Sequence, residues 1–327
     1  MSLRALCCQP RQGYDPVATA NGCVFDEDAA ARVVEFFETA LKHIEGTVAG
    51  RPFVLEDWQR WTLGNLFGWK RPDGTRRYRE AFIYVPRKNG KTPICAGIAL
   101  YMTAFDGEAG AQVYSSAAER EQAALVYRHA AGMVLGEPKL APRFRVYRGF
   151  KSIEHMASGS VFKALSADAK TKHGFNAHCV IVDELHAHSD DGELVHTLET
   201  AMASRAQPML VHITTADYSR ESICNRKYDY AVKVRDGVFE DSSFFPVIYE
   251  ATVEDDWTDP AVWAKANPNL DVSVRREYLE RECEKSKNEP SYLNTFLRLH
   301  LNVRTNADVA AFDMNDWDAC GQSFTTA

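Results

Sequence analysis

The chain has 327 residues, a formal net charge of −7, and 45% hydrophobic and 25% charged residues. This composition is typical of a globular protein that buries its own core, and the length favours a large α/β domain with an appendage. The acidic balance excludes nucleic-acid binding through overall charge, so a polyanion would need a local basic surface. The eight cysteines include no CxxC pair, and no apolar run has the length of a signal peptide or membrane span. We therefore expect reduced thiols, no zinc knuckle and a soluble protein of the cytoplasm.

Strands and helices alternate along most of the chain. After an irregular arm over 1–25, helical spacing predicts helices over 26–43 and 55–66. Four short apolar strands follow, and each is succeeded by a helical segment. The strands are 81–86, 111–117, 178–184 and 208–216, and the helices are 91–103, 119–135, 192–204 and a last one that runs to Val234. Apolar strands separated by helices indicate a parallel sheet covered on both faces, so the predicted fold class is α/β.

Two stretches depart from this alternation. Residues 147–165 have the pattern of a hairpin inserted between parallel strands. After a last strand over 244–251, the composition becomes helical, with Pro-initiated helices over 260–266 and 290–301. The sequence therefore predicts an α/β domain with an N-terminal helical arm over 1–253 and a small helical subdomain with a polar tail over 254–327.

A phosphate-binding loop is indicated between the strand at 81–86 and the following helix. The sequence Val85-Pro86-Arg87-Lys88-Asn89-Gly90-Lys91-Thr92 matches the second half of GxxxxGK[ST], with Val85 in place of the first glycine. Backbone N–H groups at the helix start would bind phosphate, Lys91 would neutralise its charge, and the Thr92 hydroxyl would reach Mg²⁺. A solvated strand–helix turn has the same composition, so this loop alone does not decide the function.

Two adjacent carboxylates end the strand at 178–184. Asp183 is placed as a ligand for hydrated Mg²⁺, and Glu184 is placed to polarise the attacking water. Ligands of open α/β sheets gather at the carboxyl ends of the strands, so this pair and the loop after 81–86 should lie at one edge. The two features together predict an ATPase.

Other side chains are weaker candidates. Thr214 and Thr215 end the next strand and could sense the γ-phosphate, although threonines favour strands in any case. The Gln59 amide could bind the adenine edge. His186 and His188 could form a metal pair, but a loop that lines the ATP site or a subunit interface is the favoured interpretation.

Taken together, these motifs resemble the ATPase domain of the large terminase subunit of tailed bacteriophages, which has a P-loop fold of the ASCE/RecA-like type. LEDWQRW (55–61) resembles the adenine-side segment, VPRKNGKT (85–92) the deviant Walker A loop, and VIVDELHAH (180–188) the Walker B segment. ITTA (213–216) resembles the coupling motif, and the segment from Trp263 to Asn269 resembles the lid of one branch of the family.

The resemblance implies a set of site residues. Lys91 and Glu184 would be catalytic, and Thr92 and Asp183 would bind the metal, while Thr214 and Thr215 would couple hydrolysis to movement. The predicted ATP and phosphate contacts are Arg87, Asn89, Gly90, Lys91, Thr92 and Gln59. The arginine finger that the family supplies from a neighbouring subunit corresponds here to lysines, so the candidates for it are Lys170, Lys172, Arg143, Arg145 and Arg148.

The family also carries a C-terminal nuclease, and we expect the chain to stop where that domain would begin. Asp313, Asp316 and Asp318 are interpreted as a solvated turn, residues 254–327 as a lid and linker, and nuclease activity is not expected.

The function implied is ATP-driven packaging of double-stranded viral DNA, with Mg²⁺ as cofactor. The partners implied are the portal protein, the small terminase subunit and further copies in a ring on the procapsid, within the host cytoplasm. The alternatives are another P-loop ATPase, or a module that binds nucleotide without acting on DNA.

Overall fold

Eight strands join into one sheet in the computed structural model, which describes residues 1–118, 120–166, 175–188 and 192–306. The strands of this sheet are β3 (Glu80–Tyr84), β4 (Gln112–Ala117), β5 (Phe144–Tyr147), β6 (Ser152–His155), β7 (Ser160–Ser166), β8 (Ala177–Asp183), β9 (Met209–Thr214) and β10 (Phe244–Ile248). Their order is β10-β3-β9-β8-β4-β7-β6-β5. The strands from β10 to β7 pair in parallel, and β6 and β5 add antiparallel at one edge.

Helices flank this sheet, and a two-stranded ribbon of β1 (Val24–Phe25) and β2 (Trp69–Lys70) accompanies them. The helices are α1 (Leu3–Cys7), α2 (Glu27–Ala40), α3 (Asp57–Gly68), α4 (Lys91–Ala104), α5 (Arg120–Gly136), α6 (Glu193–Thr200) and α7 (Ile223–Arg235). Burial explains the sequence of the central strands, because all seven residues of β8 and all six of β9 are buried. Gly97 lets α4 approach α2, since a Cβ there would lie 2.3 Å from the Phe37 ring.

The described residues divide into two compact units. The first comprises 1–84, 90–214 and 221–248, and the second comprises 85–89, 215–220 and 249 onward. The second unit contains α8 (Pro260–Ala266), α9 (Arg276–Asn288) and α10 (Pro290–His300). Its core is built around Trp263, Phe296 and Leu301. The segment 215–220 is held within this unit, where Asn302 Oδ1 accepts the Ala216 N–H at 2.8 Å.

The α/β fold class is confirmed, and each of the four predicted strand–helix pairs is present. Two local predictions were incomplete. The arm over 1–25 contains the short helix α1, whose first turn is capped by the Ser2 hydroxyl, and residues 144–147, at the start of the predicted hairpin, form the edge strand β5. Within the described ranges, no helix combines the length and apolar character that a membrane crossing requires.

Candidate active site

Three neighbouring strands bring the predicted site residues to one edge of the sheet. β9 lies between β3 and β8, with Tyr84 opposite Thr214 and Asp183 opposite Ile213. Three carboxyl ends are therefore side by side: those of β3 (the phosphate-loop strand), β9 (the threonine strand) and β8 (the carboxylate strand). This is the position where open α/β sheets bind ligands.

The helix α4 begins at Lys91, directly after Gly90, which has φ of +80°. Glycine is suited to this left-handed position because it has no Cβ to clash with the backbone. The first-turn N–H groups of a 14-residue helix have no partners within the helix, and its dipole favours an anion at that end. Lys91 is buried beside this helix start. The second half of the loop thus has the features of a phosphate site.

Asp183 has a buried carboxylate whose hydrogen-bonding capacity the described residues leave unused. Asp183 is only 1% exposed, and neither of its Oδ atoms has a hydrogen-bond partner among the described residues. Burial and the neighbouring Glu184 raise the pKa of Asp183 to about 7, whereas the charge of Lys91 opposes this increase. An unpaired buried carboxylate costs free energy unless a cation neutralises it. The Asp183 carboxylate therefore suits a hard divalent cation such as Mg²⁺. Thr92, the other predicted ligand, lies in the first turn of α4.

Glu184 follows with its backbone in the left-handed region, at φ of +49°. A side chain other than glycine is unfavourable here by roughly 1–2 kcal/mol, and such strain concentrates at functional sites. The turn directs the carboxylate toward His186, whose Nδ1 lies 3.2 Å from Glu184 Oε2.

His186 connects this carboxylate to the threonine strand. The Thr214 hydroxyl accepts the His186 backbone N–H at 3.1 Å and lies 3.1 Å from His186 Nδ1. The 3₁₀ turn Leu185–Ala187 makes both contacts possible. The sequence suggested a metal pair or a lining loop for His186, and did not indicate this link. The only available signal was the spacing of two residues from Glu184.

His188 has a different environment from His186. It is buried, and desolvation lowers the pKa of its imidazole to about 4, so the ring is neutral near pH 7. In the part of the chain that the structure describes, no group of three His, Cys, Asp or Glu side chains lies close enough to hold a metal ion by itself.

The first half of the loop belongs to the second unit. The Arg87 side chain is exposed, and its backbone N–H donates to Leu299 O at 3.1 Å. Asn89 is fully buried, and its amide hydrogen-bonds to Pro86, Asn267 and Asn269. This side chain, predicted to contact phosphate, therefore has its polar atoms engaged inside the protein. Thr215 is likewise fully buried within the second unit.

The remaining candidates lie apart. Gln59 Oε1 accepts the Glu56 N–H at 2.9 Å in a capping box at the start of α3, so the acceptor predicted for adenine caps a helix. Arg143, Arg145 and Arg148 are exposed at or next to β5, the strand at the outer edge of the sheet. Lys170, Lys172, Asp313, Asp316 and Asp318 lie outside the described residues.

A family model for the terminase large subunit, ATPase domain, matches residues 57–233, more than half of the chain. The chain belongs to the terminase large subunit family. The matched range contains the phosphate loop, the Asp183-Glu184 pair and the threonine strand, so the resemblance seen in the motifs is confirmed.

Relatives of this terminase chain agree with the assignment. The large terminase subunit of Enterobacteria phage HK97 is 30% identical over 293 residues, which are 89% of this chain and 56% of the relative. Protein YmfN of Escherichia coli K12 is 40% identical over 147 residues, which are 45% of this chain and 32% of that protein. The crystal structure of the HK97 large terminase superposes with a TM-score of 0.74 over 84% of this chain and 55% of that one. The chain thus spans about half the length of its HK97 relative.

A second family model, for the terminase large subunit endonuclease domain, matches residues 238–325. This match corrects the expectation that the terminase chain carries no part of the nuclease region. The helices after β10 looked like a lid and linker because their pattern is that of a small helical unit. The helical pattern gives the secondary structure of this region but not its similarity to the nuclease domain of the family.

Proposed function

We propose that this chain is the ATP-hydrolysing motor region of a terminase that packages double-stranded DNA. One observation carries the proposal: Asp183 ends β8, two positions from β3, Glu184 follows it directly, and the Asp183 carboxylate is buried with no hydrogen-bond partner among the residues that the structure describes. A carboxylate in this state is suited to binding a cation that arrives with its substrate. Membership of the terminase family supports the choice of ATP over other phosphate compounds.

Each residue has a defined part in this proposal. Gly90 and the first N–H groups of α4 bind the phosphates, and Lys91 neutralises charge on the β- and γ-phosphates. Thr92 and Asp183 would hold Mg²⁺, which offsets the negative charge that develops on the phosphates. Glu184 accepts a hydrogen bond from the attacking water and orients it toward the γ-phosphate.

His186 is a positioning residue in this mechanism. Its Nδ1 atom lies 3.2 Å from Glu184 Oε2 and 3.1 Å from the Thr214 hydroxyl. Movement of Glu184 after hydrolysis would therefore change the hydrogen bonding of Thr214 at the end of β9. This is a physical route for the coupling role predicted for Thr214, and Thr215 continues the chain into the segment 215–220.

The exposed arginines at the sheet edge are proposed to contact the DNA backbone. Arg143, Arg145 and Arg148 present three positive charges on a chain whose net charge is −7. Charged side chains also protect an edge strand from pairing with another sheet, so their presence alone does not require DNA. Replacing all three with Ser should reduce DNA affinity and the slope of its salt dependence.

The family membership supports further partners. We propose that copies of the protein assemble into a ring on the portal protein, together with the small terminase subunit, in the host cytoplasm. One of Lys170, Lys172, Arg143, Arg145 and Arg148 would then serve as the finger for a neighbouring ATP site.

The direct test measures Mg²⁺-dependent phosphate release from ATP by the wild type, Lys91→Ala and Glu184→Gln, each with and without portal and DNA. Activity that both substitutions abolish is the expected result. Hydrolysis that persists in both variants would refute the site. A wild type that binds ATP but never hydrolyses it, in any assembly state, would instead favour the nucleotide-binding module.

A further inference from the structure

A buried asparagine network fixes the first half of the phosphate loop. Asn89, Asn267 and Asn269 are each no more than 4% exposed, and all belong to the second unit. Asn89 Nδ2 donates to Asn267 Oδ1 at 2.9 Å and to Pro86 O at 3.2 Å, while Asn89 Oδ1 accepts the Asn269 backbone N–H at 3.1 Å. Both ends of the Asn89 amide are therefore bonded.

The orientation of Asn267 follows from its own partners. Its Nδ2 donates to His300 O at 2.8 Å and to Trp263 O at 3.1 Å. Because both acceptors are carbonyl oxygens, the amino group must face them, and the carbonyl oxygen must face Asn89. Asn267 thus presents an acceptor to the loop in one fixed orientation, held by α8 and the end of α10.

Asn269 and Ser273 hold the loop from the other side. Asn269 Nδ2 donates to Asn89 O at 3.3 Å and to the Ser273 hydroxyl at 3.2 Å. The Ser273 hydroxyl in turn donates to Lys88 O at 2.6 Å. Lys88 itself has φ of +70°, a conformation that costs free energy for any residue except glycine. The hydrogen bond to its carbonyl offsets part of that cost.

We propose that Asn267, Asn269 and Ser273 are positioning residues for phosphate binding, and that they act through Asn89. Asn89 is followed directly by Gly90 and then Lys91, so the conformation imposed on 85–89 is passed along the chain to the residues whose N–H groups are proposed to bind phosphate. The missing first glycine of the loop has a counterpart here, because the Asn269 amide and the Ser273 hydroxyl bond to carbonyl groups of a backbone that the usual motif holds through its own turn. The inference rests on the proposed ATPase function.

Nucleotide affinity and turnover separate this role from general support of the fold. Asn267→Ala and Asn269→Ala are each expected to raise KM for ATP about tenfold, the change that one lost hydrogen bond produces, while kcat changes less than threefold. Ser273→Ala is the milder variant because the residue is exposed, and it should raise KM about threefold. Ser286→Ala is the matched control, since its buried hydroxyl bonds to Glu282 O in its own helix. KM should not change in this control.

A double-mutant cycle tests the path through Asn89. If Asn267 acts through Asn89, the two substitutions will not multiply. The double variant Asn89→Ala/Asn267→Ala will then raise KM about 10–30-fold over the wild type, whereas independent effects would raise it about 100-fold. Multiplicative effects would overturn the inference, as would a folded Asn267→Ala or Ser273→Ala protein with the wild-type KM. Should Asn267→Ala fail to fold, Ser273→Ala alone decides. A wild type without ATPase activity would contradict the proposed function, and affinity for a fluorescent ATP analogue would then test the network in place of KM.

Discussion

Replacing Asp183 with Asn should make the nucleotide-free protein more stable while abolishing ATP hydrolysis. The Asp183 carboxylate is buried with no hydrogen-bond partner among the described residues, and its pKa is raised from 3.8 to about 7. At about 1.4 kcal/mol per pKa unit, this shift corresponds to about 4 kcal/mol of destabilisation when the group is charged in the folded state. A buried Asn amide without partners costs about 1–3 kcal/mol. The net gain is therefore roughly 1–3 kcal/mol.

The sign depends on pH. Between about pH 4 and pH 7 the folded protein binds a proton at Asp183 that the unfolded chain has released, so wild-type stability falls as pH rises through this window. Above pH 7 the full cost is present. Asp183→Asn carries no such charge, and its advantage should be near zero at pH 5 and largest at pH 8.

Thermal melts at pH 5 and pH 8, in EDTA and without nucleotide, measure this difference. A gain of 1–3 kcal/mol corresponds to an increase in Tm of about 2–6 °C at pH 8. Asp106→Asn is the matched control, because that buried carboxylate pairs with Arg76 at 2.7 Å and with His178 at 2.8 Å. Its substitution should lower Tm at both pH values. An Asp183→Asn protein that is no more stable than the wild type at pH 8, or equally stabilised at pH 5, would refute the reasoning.

Four further substitutions follow from the same geometry. Glu184→Gln should keep the affinity for Mg·ATP and lower kcat by about 10²–10⁴, as measured by single-turnover phosphate release. His186→Ala and Thr214→Val should each lower kcat about tenfold or more with little change in KM. The double variant should have about the same kcat as the less active single variant. Multiplicative effects on kcat would argue against a link between His186 and Thr214. Lys91→Ala should abolish the increase in Tm that Mg²⁺ with a non-hydrolysable ATP analogue gives the wild type, and an unchanged increase would exclude Lys91 from the phosphate site.

The parts of the fold that depend on local pattern could be predicted from sequence. The strands around Phe82, Val113, Val180 and Val211 are short apolar runs separated by helices, and that pattern specifies a covered parallel sheet. The Asp183-Glu184 pair was identifiable because it follows such a strand directly. The edge strand β5 was missed because Arg145 and Tyr147 give it neither an apolar run nor a clear alternation.

Contacts between distant residues could not be predicted in this way. Asn89 was assigned to phosphate because it lies in the loop, yet two of its partners, Asn267 and Asn269, are 178 and 180 residues away in the sequence. The amide of Gln59, in contrast, has a local partner, because it caps α3. In both cases an amide side chain has several possible partners, and only the tertiary structure determines which of them it meets.

The two ends of β8 and its neighbours show where function departs from stability. His178, near the start of β8, is buried and bonded to Asp106, which Arg76 also neutralises. At the other end Asp183 is equally buried, its carboxylate has no hydrogen-bond partner within the described ranges, and Glu184 adopts a strained left-handed backbone. The same strand therefore carries a histidine paired with a buried carboxylate at one end and two adjacent violations of local rules at the other. Folding alone would not retain both violations, since replacement of either residue could relieve them; binding a cation and orienting water would account for both together.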